Sequence, residues 1–126
     1  MTTLHPLNWY VGWWLILAAF ITGAGIGLFF HREDFWGGYA SFRRRLVRLG
    51  HIALAALGGL NVLFSVATPA ASTSTQAASL LLLIGAVSMG PVCFLTGWRQ
   101  SFRRLFFIPV TSLTAAVVLV LLGGVP

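Results

Sequence analysis

The stretch LGHIALAALGGLNVLFSVA, at positions 49–67, decides the fold because it is long, apolar and free of Asp, Glu, Lys and Arg. A helix needs about 20 predominantly apolar residues to cross the hydrocarbon core of a bilayer. We therefore predict a membrane-spanning helix over residues 46–67. Its ionisable side chain is His51, and an ionisable group at that depth is costly to bury and usually has a function.

Three further stretches of similar length and character occur in the 126-residue chain. We predict additional spans at 9–30, 77–98 and 105–125. Charged residues make up 8% of the sequence, against about 25% in soluble domains. The spans leave little chain for anything else, so we predict an all-α integral membrane fold. It is a four-transmembrane-helix bundle that forms a single domain over residues 1–126.

The basic residues indicate how this bundle is oriented. All eight are arginines, and they fall in the first and third connections between spans: Arg32, Arg43, Arg44, Arg45 and Arg48, then Arg99, Arg103 and Arg104. The N-terminal tail, the second connection and the C-terminus carry no basic side chain. By the positive-inside rule, both arginine loops face the cytoplasm and both termini lie outside, in the plasma (inner) membrane of a bacterium.

The arginines account for the net charge of +6 without a role in nucleic-acid binding, because no soluble domain presents them. We expect them to attract anionic lipids of the bilayer. In the first connection, apolar residues recur at helical spacing between Phe35 and Leu49. This pattern predicts a short helix in the headgroup layer, with the arginines at positions 43–45 and 48 on its solvated face.

A short internal repeat suggests how the spans are grouped. The motif SFRR occurs at positions 41–44 and again, 60 residues later, at positions 101–104. Each copy follows an inward span and precedes an outward one, which predicts two tandem parallel helical hairpins. At the same offset His51 aligns with Thr111, so only one half carries the ionisable group.

His51 and Met89 together indicate a cofactor. At ~1.5 Å per residue, His51 lies about 7 Å above the cytoplasmic start of its span, and the span that carries Met89 returns to that side. Histidine and methionine are a known pair of axial ligands for haem iron, and arginines suit haem propionates. We therefore predict a b-type haem near the cytoplasmic side, with His51 as axial ligand and Met89 as the weaker second ligand. Arg48, Arg99 and Arg103 would pair with the propionates.

Such a protein would act in electron transfer or haem handling, and its general layout resembles that of small four-helix membrane cytochromes. A second version pairs His51 with the His51 of another subunit. No Cys-x-x-Cys-His motif is present, which excludes covalent attachment of the haem. Beyond Arg48 at the cytoplasmic start of the second span, the spans contain no Asp, Glu, Lys or Arg that would carry protons. No catalytic motif is recognisable either, which argues against an enzyme acting by itself.

Other interpretations remain open. The chain would equally suit a cofactor-free accessory or structural subunit of a larger membrane complex, or a homo-oligomer, and less well an oligomeric channel or carrier. The run His31-Arg32-Glu33-Asp34 offers an imidazole and two carboxylates for a divalent metal, although these residues also suit a helix end. For Asn61 we expect an interhelical hydrogen bond.

Overall fold

A computed structural model describes residues 5–68 and 72–123. It contains four long helices: α1 (Pro6–Phe29), α2 (Phe42–Ala67), α3 (Thr73–Trp98) and α4 (Phe107–Gly123). Short 3-10 segments occupy Phe35–Gly37 and Gln100–Phe106, and the described residues include no strand. All four helices, the last taken with the 3-10 segment before it, are long and apolar enough to cross a membrane. The prediction of an all-helical chain with four such helices is confirmed.

The first connection differs from its prediction. Residues 42–49 do not form a separate helix in the headgroup layer, because α2 already begins at Phe42 and continues to Ala67. Ser41 caps α2: its hydroxyl accepts from the backbone N–H of Arg44 at 3.2 Å and donates to the carbonyl of Trp36 at 2.7 Å. Nothing between this cap and Ala67 interrupts the helix, so the arginine-rich segment runs straight into the apolar one.

The chain reverses direction before this cap through three residues with positive φ. Trp36, Gly37 and Gly38 have φ values of 51°, 85° and 94°. Glycine adopts such angles at no steric cost. Among the described residues, Trp36 is the one residue other than glycine with a positive φ. The tight turn brings the arginine-bearing start of α2 back beside the end of α1.

Each helix packs mainly against its neighbours in sequence, and α1 adds a small contact with α3. At the centre of the α1–α2 interface, the two backbones meet at Gly12 and Gly58. A Cβ built on either glycine would lie 2.7 Å from the carbonyl oxygen of the other. Between α2 and α3, Gly90 accommodates the side chain of Leu54 in the same way. Small residues therefore set the distances between the helices, as in membrane-helix packing.

The interior contains polar side chains that hydrogen-bond to each other. Asn8 and Asn61 are fully buried, and the amide of Asn8 donates to the side-chain oxygen of Asn61 at 2.8 Å. Ser79 donates to the side-chain oxygen of Asn8, so α1, α2 and α3 share one network. The interhelical hydrogen bond expected for Asn61 is confirmed, and its partner is Asn8.

The outer surface is the opposite of a soluble protein's surface. Large apolar side chains are widely exposed along the helices: Trp14 is 67% exposed, Phe20 73% and Leu122 80%. A soluble domain rarely exposes a continuous apolar surface of this extent, because water makes it costly. This fold therefore combines an apolar exterior with an interior that is mainly apolar and includes a few hydrogen-bonded polar side chains.

Candidate functional site

His51 lies in the interface between α1 and α2. Its imidazole packs against Gly23 of α1, where an added Cβ would be 2.6 Å from Cε1 and 3.2 Å from Nε2. Glycine at position 23 therefore makes room for the ring. The side chain is half-buried, and its Nδ1 lies 3.3 Å from the hydroxyl of Thr22.

The Thr22 hydroxyl lies between His51 and the backbone of its own helix. It donates to the carbonyls of Ala18 at 2.8 Å and Ala19 at 3.1 Å. The same hydroxyl is within hydrogen-bonding distance of Nδ1 of His51, and the tautomer of the ring decides which of the two atoms donates. A partner on Nδ1 is what orients a histidine that binds a metal through Nε2.

Met89, the predicted second ligand, is partly buried on α3. At this depth, the contacts of α3 with α2 run through glycines: a Cβ on Gly50 would lie 3.0 Å from Cβ of Cys93, and Gly90 faces Leu54. One residue along a helix turns the direction of the side chain by about 100°. The residue of α2 that faces α3 is therefore Gly50, and the ring of His51 faces α1. Ligation of a haem by His51 and Met89 stays a prediction.

Arg44 is the buried arginine, at 1% exposed, which corrects the prediction that it lies on a solvated face. Its Nη2 donates to the carbonyls of Phe30 at 2.9 Å and Arg32 at 2.8 Å, just beyond the end of α1. The guanidinium also lies 4.6 Å from the centroid of the Phe30 ring. A cation that binds the last carbonyls of a helix stabilises its negative end. Sequence reasoning missed this role, because Arg44 is one of three adjacent arginines with no local distinguishing signal.

The three predicted propionate partners lie in different surroundings. Arg48 places its guanidinium 4.9 Å from the ring centroid of Tyr39. Arg99 follows the end of α3, and Arg103 is exposed in the 3-10 segment before α4. Arg99 lines a hollow together with Arg43, whereas Arg103 lines another.

The hollow between the two arginine loops has a volume of about 530 Å³. Nine residues from the first loop, the start of α2 and the end of α3 line it: Trp36, Gly37, Ser41, Phe42, Arg43, Gly97, Trp98, Arg99 and Gln100. The two helix ends are in contact here, since a Cβ on Gly97 would be 3.6 Å from the carbonyl oxygen of Arg43. Sequence reasoning identified Arg99 and did not single out Arg43, whose sequence neighbours carry the same charge.

A second hollow of about 400 Å³ lies near the end of α1. Its walls are apolar and aromatic apart from Thr22, whose hydroxyl is already bonded within α1. Elsewhere, no group of three or more His, Cys, Asp or Glu side chains that would hold a metal occurs within residues 5–68 and 72–123. The run from His31 to Asp34 is exposed and does not gather such a set.

The described site therefore consists of a half-buried imidazole between α1 and α2 and an arginine-lined hollow at the ends of α2 and α3. In comparisons with protein-family models, curated proteins and solved structures, no match to this chain was found.

Proposed function

We propose that this chain is an integral membrane protein that crosses the bilayer four times and acts as a cofactor-free accessory subunit of a larger membrane complex. The observation that carries the membrane part is an extensive apolar exterior around an interior that includes a buried polar network. Asn8 and Asn61 are buried and hydrogen-bonded to each other, while large apolar side chains such as Phe20 face outward. In hydrocarbon, buried polar groups hold helices together and an apolar exterior carries no cost.

The aromatic residues support the same placement. Tyr10, Trp13 and Trp14 are at least half exposed near the start of α1, and Trp36, Tyr39 and Trp98 are exposed at the opposite ends of the helices. Trp and Tyr are enriched at the two membrane–water interfaces. The helix between these groups is 24 residues long, which is about 36 Å at ~1.5 Å per residue. That length is sufficient for the hydrocarbon core, at about 30 Å.

The accessory role rests on the outer helices. In the most apolar 18-residue stretch of α1, 17% of the residues are buried, and the corresponding share is 11% for α4 taken with the 3-10 segment before it. The share for α3 is 44%. Each of the two outer helices packs mainly against one neighbour, so the rest of its apolar surface is open to the helices of other subunits. The interior, in contrast, is closed by glycine contacts and by the asparagine network.

The proposed orientation has both termini outside and both arginine loops in the cytoplasm of a bacterial cell. We expect alkaline phosphatase to be active when it is fused to the C-terminus and inactive when it is fused in the loop near residue 38 or residue 100. Green fluorescent protein should give the reverse pattern at the same positions. Active phosphatase in either arginine loop would contradict the orientation, and extraction of the chain by alkaline carbonate would contradict insertion.

Haem binding through His51 is the second candidate, and it is supported by the contact of Nδ1 with Thr22, which would orient the imidazole. A dithionite-reduced minus oxidised absorption spectrum of protein from haem-replete cells separates the two proposals. The accessory role predicts a spectrum without haem bands. A sharp α band that is kept in the exposed control His31→Ala and lost in His51→Ala would overturn that role and establish a b-type haem on His51.

A further inference from the structure

The hollow at the ends of α2 and α3 combines features that suit an anionic ligand. Arg43 comes from the first arginine loop and Arg99 from the second, although 56 positions (99 − 43) separate them in the sequence. Both are exposed, and Gln100 adds a neutral hydrogen-bonding side chain. No acidic side chain lines the hollow. The fold thus brings Arg43 and Arg99 to the lining of one hollow.

The charge of this hollow comes from the arginines and not from the helix ends. The start of α2 carries the positive end of a helix dipole, and the adjoining end of α3 carries a negative one. These two partial charges are close, because Gly97 packs against the carbonyl of Arg43, and they largely cancel. Arginine is well matched to phosphate, since its planar fork donates two parallel hydrogen bonds.

The surroundings indicate which kind of phosphate is bound. Trp36 and Trp98 line the hollow and are 48% and 75% exposed, so two indoles stand where the helices meet the headgroup layer. The volume of about 530 Å³ is far larger than an inorganic phosphate ion requires. The two helices that carry the hollow also expose apolar side chains along their length, such as Leu49 of α2 and Ile84 of α3, which suit contact with acyl chains.

We propose that Arg43 and Arg99 form a binding site for the phosphate of an anionic phospholipid headgroup, with Trp36 and Trp98 flanking the headgroup. This site goes beyond general attraction of anionic lipid to basic loops, because it depends on two particular arginines. The lipid site rests on the proposed function because it requires that the protein lies in a bilayer. It does not depend on the orientation of the chain or on the absence of a haem.

The test compares two double variants of equal net charge. Arg43→Gln with Arg99→Gln removes the pair that lines the hollow, and Arg32→Gln with Arg45→Gln removes two exposed arginines of the first loop. Native mass spectrometry of the full chain in neutral detergent gives the dissociation constant for phosphatidylglycerol, with phosphatidylcholine as the neutral lipid. We expect the first double variant to bind phosphatidylglycerol about tenfold more weakly than the second, which corresponds to ~1.4 kcal/mol.

Equal binding by the two double variants would overturn the site and leave only a general charge effect. Displacement of phosphatidylglycerol by inorganic phosphate at an equal concentration would overturn the lipid assignment. If the variant Arg43→Gln with Arg99→Gln fails to fold, as judged by circular dichroism, Arg43→Lys with Arg99→Lys takes its place. This second variant keeps both positive charges and removes the planar guanidinium groups. That pair is expected to lose part of the affinity, and full retention would contradict the site. The phosphatase fusions test the orientation separately. If they placed the arginine loops outside, the proposed orientation would be wrong, and the difference in lipid binding between the two double variants would still be expected.

Discussion

Replacement of Arg44 by glutamine is expected to lower the free energy of unfolding by about 3 kcal/mol, since hydrogen bonds to charged groups contribute about 1.5–3 kcal/mol each. The guanidinium donates to the carbonyls of Phe30 and Arg32 and stacks on the Phe30 ring. A shorter, neutral side chain would remove both charged hydrogen bonds, and the carbonyl of Arg32 would keep only the backbone N–H of Phe35 as its donor. Unfolding by SDS in mixed micelles, followed by circular dichroism, measures the loss.

The neighbouring arginine provides the control. Arg45 is exposed, so Arg45→Gln removes the same charge and should change stability by no more than about 0.5 kcal/mol. Arg44→Lys keeps the charge but not the fork, and we expect an intermediate loss. Similar losses for Arg44→Gln and Arg45→Gln would show that charge, and not the contact with the end of α1, is what matters.

Substitution of Gly58 by alanine is expected to destabilise the protein by about 2 kcal/mol, within the range for added methyl groups in a packed core. The new Cβ would lie 2.7 Å from the carbonyl oxygen of Gly12 and 3.1 Å from the backbone nitrogen of Ile16. Both atoms belong to the backbone of α1, so the whole helix would have to move away. The same SDS unfolding measures the change.

Gly59 is the matched control for this substitution. It is the next residue of α2, and a Cβ there meets nothing within 4 Å. Alanine is favoured over glycine inside a helix by about 0.8–1 kcal/mol, so Gly59→Ala should leave stability unchanged or raise it. The double variant Gly12→Ala with Gly58→Ala should lose less stability than the sum of the two single losses, because either substitution alone already separates the two helices. Equal effects at positions 58 and 59 would contradict the close crossing.

Much of the fold could be read from local signals. Four apolar stretches of about 20 residues predict four long helices, and four such helices are present in the described residues. The predicted end of the last span, at residue 125, lies outside the described residues. The exception is the segment before α2, where apolar spacing suggested a separate helix. The cap at Ser41 joins that segment to α2 instead. The kind of contact that Asn61 makes was also predictable, since a polar side chain among apolar neighbours needs a hydrogen-bond partner.

The candidate site was predictable only in part. His51 was singled out because an ionisable residue in an apolar stretch is rare, and the structure gives it a defined partner in Thr22. Periodicity along α2 does not reveal which neighbouring helix each side of α2 faces. In the structure, Gly50 is the residue of α2 that faces α3, and the ring of His51 faces α1. Likewise, nothing local distinguishes buried Arg44 from exposed Arg45.

The sequence by itself determined the helices, their apolar character and the two groups of arginines, because these depend on residues that are close together in the chain. Only the tertiary structure decided the rotation of each helix about its axis. That rotation follows from long-range contacts such as Gly12 with Gly58, where the absence of side chains lets two backbones meet. It directs His51 towards α1 and brings Arg43 and Arg99 to one hollow. Contacts between residues far apart in the chain leave no periodic signal, which is why hydropathy and spacing could not predict them.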